Sequence, residues 1–506
     1  MKEWKQLVKD IVEKNMEDIK NEIESYDIYP DSLRKKEGSL LFMTKIENQK
    51  KLIIVKEGLL FNQFIGETGK IKGVKIKVAP LSHENAKILR NNFEFTNPVP
   101  VGKKGSSLGL GDRIGLAAPG HIETIKDKDI TPVLAQQSIR ELELTERSYE
   151  DVLDAASWGV FEKGYEKGFG ADGDHLKNAK EVNMALDLGF SMITLDCSEH
   201  IDNSIEDLNK KRIHERYRFA RIKENGIEEL EERYVGNTFT LQSGTEIKFD
   251  KETFQKIILT YYDMLNFAEE IYMDYIKTPG HDIDFELSID ETATPTSPQA
   301  HYFIASELDK KGFDINSMAP RFCGEFQKAI DYIGDLDEFE KEFKIHAQIA
   351  DEFGYKLSIH SGSDKFSVYP IIGEYTNKRV HVKTAGTNWL EALRIIAEND
   401  PALFREIQNY ALEHFQEATK YYHVTTDLEK IPEVENLSDN ELTRLLEQED
   451  ARQLLHITYG VIFQAKDDDG NYRFKDRLYE VWNENEEEYS QALQKHIGKH
   501  VKDLGF

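Results

Sequence analysis

The chain has 506 residues, 39% of them hydrophobic and 31% charged, a folded-protein balance that excludes a disordered chain. Lys and Arg number 65 against 93 Asp and Glu, a net charge of −28 that repels nucleic acid and anionic lipid, so neither is expected as a partner. The two cysteines, Cys197 and Cys323, exclude a disulfide framework and a four-thiolate zinc site, and no apolar run approaches the roughly 18 residues of a membrane span.

Residues 1–105 read as an N-terminal α+β extension. Glu3 to Ile23 has the periodicity of an amphipathic helix, and SLLFMTKI and KKLIIVKEG read as strands. The opening MKEWKQLVKDIVEKN is charged and lacks the apolar core of a leader, so a cytoplasmic location is expected. No chemistry-bearing cluster occurs here, so this segment is expected to pack or to support a homo-oligomer.

Residues 106–390 carry eight short strand-like runs, mostly separated by helical segments. They are 113–120, 131–138, 169–175, 190–198, 282–290, 314–321, 355–362 and 379–386. Alternating βα units of this number predict an α/β fold, a (β/α)8 TIM-type barrel. KNAKEVNMALDLG predicts a connecting helix stopped at Gly189. The stretch from about 200 to 280 exceeds a simple connection and predicts an insertion, with a hairpin turning at the Ser-Gly of NTFTLQSGTEIKF. Residues 391–506 form a C-terminal helical extension, interrupted between Leu428 and Asn440 near Pro432, and read as a barrel cap or subunit interface.

Strand parity locates the chemistry. In Asp282–Asp290, Ile283, Phe285, Leu287 and Ile289 share one face, and Asp284, Glu286, Ser288 and Asp290 share the other. Inward acids are costly unless a metal ion or cations from neighbouring strands meet them. His360, Lys383 and Asp196 occupy the inner parity of three further strands near their C-terminal ends, where barrel active sites lie. His175, Glu286 and His360 end three different strands, a nitrogen and oxygen donor set suited to Zn, Mn, Co or Ni. His301, at a helix start, is a weaker fourth ligand candidate. Asp174 adjoins His175 and is placed as an acid/base group, and Glu141, after AQQSIR, as a second. Arg321, Lys365, Lys383 and Ser361 fall in the same layer and are placed as substrate-binding residues for an anionic group. No nucleotide-binding glycine motif is present, and no nucleotide cofactor is expected.

The barrel segments PVLAQQSIREL, GADGDHLKNAKEVNMALDLGFSMITLDCS, FELSIDETATPTSPQAHYFIASELDKKGFD and LSIHSGS resemble, in order, class II fructose- and tagatose-bisphosphate aldolases. That resemblance implies that His175 and His360 are metal ligands, that Asp174 is the acid/base, and that Glu286 holds a metal-contact position. MAPRFCGEF carries Cys323-Gly324 where the aldolases place a further histidine, and the bisphosphate-binding glycines are imperfect. Nearly the whole chain, through GLGDRIGLAAPGH, AQQSIRE, ADGDHLK, MAPRFCGEF, IDYIGD and HSGSDKFSVYP, resembles the tagaturonate epimerase family of hexuronate catabolism. That resemblance implies a cytoplasmic, divalent-metal-dependent isomerase acting on a small sugar acid, interconverting D-tagaturonate and D-fructuronate. Two other readings share these residues: a metal-dependent aldolase acting as a lyase, and a non-catalytic sugar-acid binding protein.

Overall fold

The computed structural model describes residues 2–14, 16–224, 226–277, 282–384 and 386–506. Asn15, residues 278–281 and Ala385, which fall in the predicted first helix, the predicted insertion and fifth run boundary, and the eighth run, lie outside the described residues.

Two helices, Trp4–Glu13 and Met16–Asn21, stand where one is predicted. Lys14 turns extended between them, and its ammonium binds Asp10 at 3.2 Å and Glu22 at 3.0 Å, which ties the second helix back toward the first. Five antiparallel strands follow: β1 (Tyr29–Lys36), β2 (Ser39–Ile46), β3 (Gln49–Val55), β4 (Glu67–Ile71) and β5 (Val74–Pro80), in the order β1-β2-β3-β5-β4. Side-chain alternation gives this sheet two buried faces. Leu41, Met43, Leu52 and Ile54 pack against Trp158 and Phe161 of the barrel helix Tyr149–Glu162. Leu40, Phe42, Ile53 and Val55 pack against Trp4, Leu7 and Ile19.

The barrel comprises β6 (Ser106–Gly109), β7 (Ile130–Ser138), β8 (Gly170–Leu176) and β9 (Met192–Asp196). After an inserted hairpin, β10 (Thr238–Thr240) and β11 (Glu246–Lys248), it continues with β12 (Asp284–Ile289), β13 (Ser317–Pro320), β14 (Lys356–Ile359) and β15 (Val380–Lys383). All eight barrel strands pair in parallel, and β15 pairs with β6 to close the ring. This is the predicted TIM-type α/β architecture. Its first strand is a correction: the run 113–120 is a loop leading into helix Ala118–Ile125, which has Pro119 in its first turn. Proline suits a helix start, and the true strand SSLG is too short and too uniformly buried to show alternation. Gly109 in that strand makes room for Gln136, since a Cβ there would stand 2.0 Å from the Gln136 amide oxygen.

Gly189 ends its helix as predicted, at φ +89°, with its amide reaching the Ala185 and Leu186 carbonyls. The hairpin turns through Gly244 at φ +86°. The C-terminal helices build their own core around Trp389, Leu393, Phe404 and Trp482, which also takes in Ile114, Ala117 and Leu144 from the barrel. Among the described residues no helix is long and apolar enough to cross a membrane.

Candidate active site

The C-terminal end of β8 carries Asp174 and His175, consecutive residues that a regular strand would point to opposite sides. Two local irregularities bring both to one pocket. The pairing of β8 with β9 shifts register between Gly173 and Leu176, and His175 sits at φ +54°. A bulge re-aims side chains, and left-handed backbone at a bulky residue stores strain that a packed surrounding must hold in place. His175 turns its Nδ1 toward Asp196 at 3.3 Å, and its ring stands 4.8 Å from that of His360, centroid to centroid.

Beneath them lies a charged layer. Lys383, at the end of β15, places its Nζ 2.7 Å from Asp174, 2.9 Å from Asp172, 2.8 Å from Glu286 and 2.6 Å from Thr194 Oγ1. A strand lysine thus answers the desolvation cost of the inward acids. Burial alone would push Asp174 up, but Lys383 and the two imidazoles outweigh it and hold the carboxyl well below the usual range. Asp172, deeper and crowded by Asp174 and Glu286, is pushed up to about 6 by burial despite Lys383. Glu286 is fully buried and accepts from Ser317, Thr194 and Lys383 as well as meeting His360 Nε2 at 2.8 Å. Asp284, one layer lower, accepts the amides of Val101 and Gly102, which closes the barrel floor.

His360 faces Glu286 through Nε2, while its Nδ1 is buried, makes no hydrogen bond and looks toward Asp290 Oδ1 at 3.2 Å. Burial would lower this imidazole, but Asp290, together with the hydrogen bond to Glu286, pulls it up to about 10. The spot therefore favours positive charge. Glu141 is a buried N-terminal cap residue: its amide bonds Ser138 Oγ, its Oε2 accepts the Ser138 amide, and its Oε1 accepts both Nε and Nη2 of Arg113. The pocket at the barrel mouth is lined by Glu141, Asp174, His175, Asp290, His360 and Lys383, and is walled by Tyr422 and His456 from the C-terminal extension. Gly386 makes room for that wall, because a Cβ there would meet His456 Cε1 at 2.0 Å.

The sequence profile of the tagaturonate epimerase family, UxaE, matches residues 29–504. The chain belongs to the tagaturonate epimerase family. The tagaturonate/fructuronate epimerase of Thermotoga maritima is 41% identical over 477 residues, covering 94% of this chain and 96% of that one. The crystal structure of fructuronate-tagaturonate epimerase UxaE from Cohnella laeviribosi with one glycerol superposes at a TM-score of 0.92. It is 50% identical and covers 97% of this chain and 99% of that chain; the native crystal structure of the same enzyme gives the same values. This tagaturonate epimerase family member is an isomerase, as the sequence resemblance implies.

Within this epimerase fold the predicted site residues divide. Asp174, Glu141, His175, His360, Ser361 and Lys383 line one pocket. Glu286 lies under its floor and touches it through His360 and Lys383. Arg321 lies in an outer groove beside the pocket, where its guanidinium bonds the Thr292 carbonyl. Lys365 is fully buried and donates to the carbonyls of Gln327, Ile330 and Ser363, away from the pocket. His301 is buried outside the barrel, between Tyr355 and His346. The ligand atoms of His175, Asp196 and Glu291 gather within 4.8 Å of one another. Sequence reasoning missed Arg113, Lys328, Tyr422 and His456. They come from loops and from helices with an ordinary apolar period, so only the folded chain gathers them.

Proposed function

We propose that the protein interconverts D-tagaturonate and D-fructuronate by breaking and re-forming a carbon–carbon bond, with a divalent cation at the barrel mouth. The observation that carries this reading is the convergence of two imidazoles and an ionised Asp174 on one closed pocket, in a chain of the tagaturonate epimerase family.

The two keto acids differ at the carbon β to the ketone. Its proton is not acidic, so enolisation does not invert it. Retro-aldol cleavage next to that carbon does, provided the aldehyde fragment turns over before the bond re-forms.

The side chains fit a metal. His360 Nδ1 is buried with only the Asp290 carboxylate facing it, His175 stands beside it, and Asp196, Asp290 and Glu291 supply oxygens. An imidazole pulled up to about 10 marks a field that takes up a cation in place of the proton. Glu286 reads best as the group that orients His360 through Nε2. A bound Zn, Mn, Co or Ni ion would stabilise the negative charge that develops on the ketone oxygen as the bond breaks.

The chain's own groups move the protons. Asp174, kept ionised by Lys383, takes the proton from the hydroxyl on the β carbon. The proton that Asp174 takes up returns to the alkoxide when the bond re-forms, and Glu141, ionised beside Arg113 in the same pocket, is the base for the hydroxyl of the other epimer. Tyr422 and His456 keep the two fragments together between cleavage and recombination.

The test is epimerisation of D-tagaturonate in D2O followed by NMR. Bond cleavage leaves the original hydrogen on the inverted carbon. Deuterium on that carbon overturns the mechanism, and undiminished activity after exhaustive chelation overturns the metal.

A further inference from the structure

Four Lys and Arg side chains line the pocket, and two are already neutralised by acids: Lys383 by Asp172, Asp174 and Glu286, and Arg113 by Glu141. Arg140 and Lys328 differ. Among the described residues neither has a carboxylate within 4.0 Å, although Asp290 and Glu291 line the same pocket. Lys328 is half-buried and donates to Ser361 Oγ at 2.8 Å. Arg140 is half-buried, lies 4.9 Å over the Tyr422 ring, and makes one long contact, 3.5 Å, to the Tyr421 carbonyl. Its Nε is buried without a partner. Two uncompensated cations side by side in a chain of net charge −28 mark a seat for an anion from outside.

We infer that Arg140 and Lys328 seat the terminal carboxylate of the substrate, with Ser361 holding the lysine in place. This rests on the sugar-acid reading above and adds the source of its selectivity. A guanidinium fork and a point-charge ammonium together match one carboxylate, and a neutral ketose offers them nothing. Both cations also border the outer groove, whereas His175 does not. The carboxylate end of the sugar therefore lies toward the groove and its ketone end toward His175.

The experiment compares ligands that differ only in the terminal group. Calorimetric dissociation constants for D-galactonate and galactitol are measured on the full chain and on Arg140→Gln and Lys328→Gln. The native protein prefers galactonate, and each variant cuts that preference by about 30- to 100-fold, the effect of losing one charge-assisted contact. With tagaturonate, the variants raise KM far more than they lower kcat, and Arg140→Lys recovers part of the loss. A galactonate-to-galactitol ratio that stays within about threefold in both variants, or a native protein without the preference, overturns the assignment. Binding needs no turnover: a protein that holds galactonate through these residues yet leaves tagaturonate unchanged sinks the proposed reaction and keeps the carboxylate seat.

Discussion

Lys383 Nζ stands 2.7 Å from Asp174 Oδ1, and the same ammonium serves Asp172 and Glu286. One lysine thus neutralises the barrel interior and sets the charge of Asp174, the proposed base. Lys383→Met removes both effects. It leaves buried acids without a cation, which costs about 3–5 kcal/mol of stability. It also lets burial push Asp174 up. With Asp174 as the proposed base, active when ionised, the acidic limb of the kcat/KM profile moves to higher pH, and part of the activity lost at neutrality returns in alkali. An acidic limb left where the native enzyme has it argues that Lys383 does not tune Asp174.

Asp174→Asn and His360→Ala separate proton transfer from metal holding. The amide keeps the shape of Asp174 and cannot take a proton, so kcat falls by about 10²- to 10⁴-fold while metal content holds. His360→Ala removes the Nδ1 that faces Asp290 at the centre of the donor set, so metal and turnover disappear together. Elemental analysis of both purified variants, alongside their rates, decides. Stoichiometric metal in His360→Ala removes that residue from the ligands.

Glu286 meets His360 through Nε2, the nitrogen opposite the one that faces Asp290. An orienting carboxylate and a directly ligating one fail to different degrees. Glu286→Gln retains a hydrogen-bond acceptor for the ring, so metal affinity drops by about 10- to 100-fold and excess metal restores turnover. Competition with a fluorescent chelator gives the affinity. Loss of binding that no metal concentration restores makes Glu286 a ligand after all.

The barrel was legible because its strands alternate with helices and because β12 separates apolar from acidic residues by parity. Seven of the eight predicted runs coincide with barrel strands. The first did not, since four uniformly buried residues give no period. Asp174 and His175 were legible as residue types at the end of one strand. Their shared direction was not, because it depends on a register shift and a left-handed backbone that no composition encodes. The role of Lys365 was misleading for a similar reason: a lysine after a strand reads as a reach toward substrate, but the loop folds back and gives it three carbonyls. Arg140 and Lys328 stand out only once every neighbouring cation has found its acid.

Acid lability is the last consequence. Burial holds His121 down to about 4, and His381 and His500 down to about 3, while His301 and His456 also lie well below the ordinary imidazole value. Burial is the leading cause in each case. In the unfolded chain all five bind protons near pH 6.5. Between about 6.5 and 4 the unfolded state therefore holds more protons, and stability falls as pH falls, by roughly 1.4 kcal/mol per pH unit for each histidine. Asp172, pushed up to about 6, and Asp154, Glu162, Asp284 and Glu398, also raised by burial, take up protons in the folded state and oppose this trend. The imidazole share of the slope favours unfolding. Urea midpoints measured from pH 7.5 to 4.5 should decline steadily below 6.5, and His301→Gln, which cannot protonate, should flatten the decline. Midpoints that stay level down to pH 5 mean that these imidazoles charge inside the fold, and that the buried layer tolerates cations far better than its burial suggests.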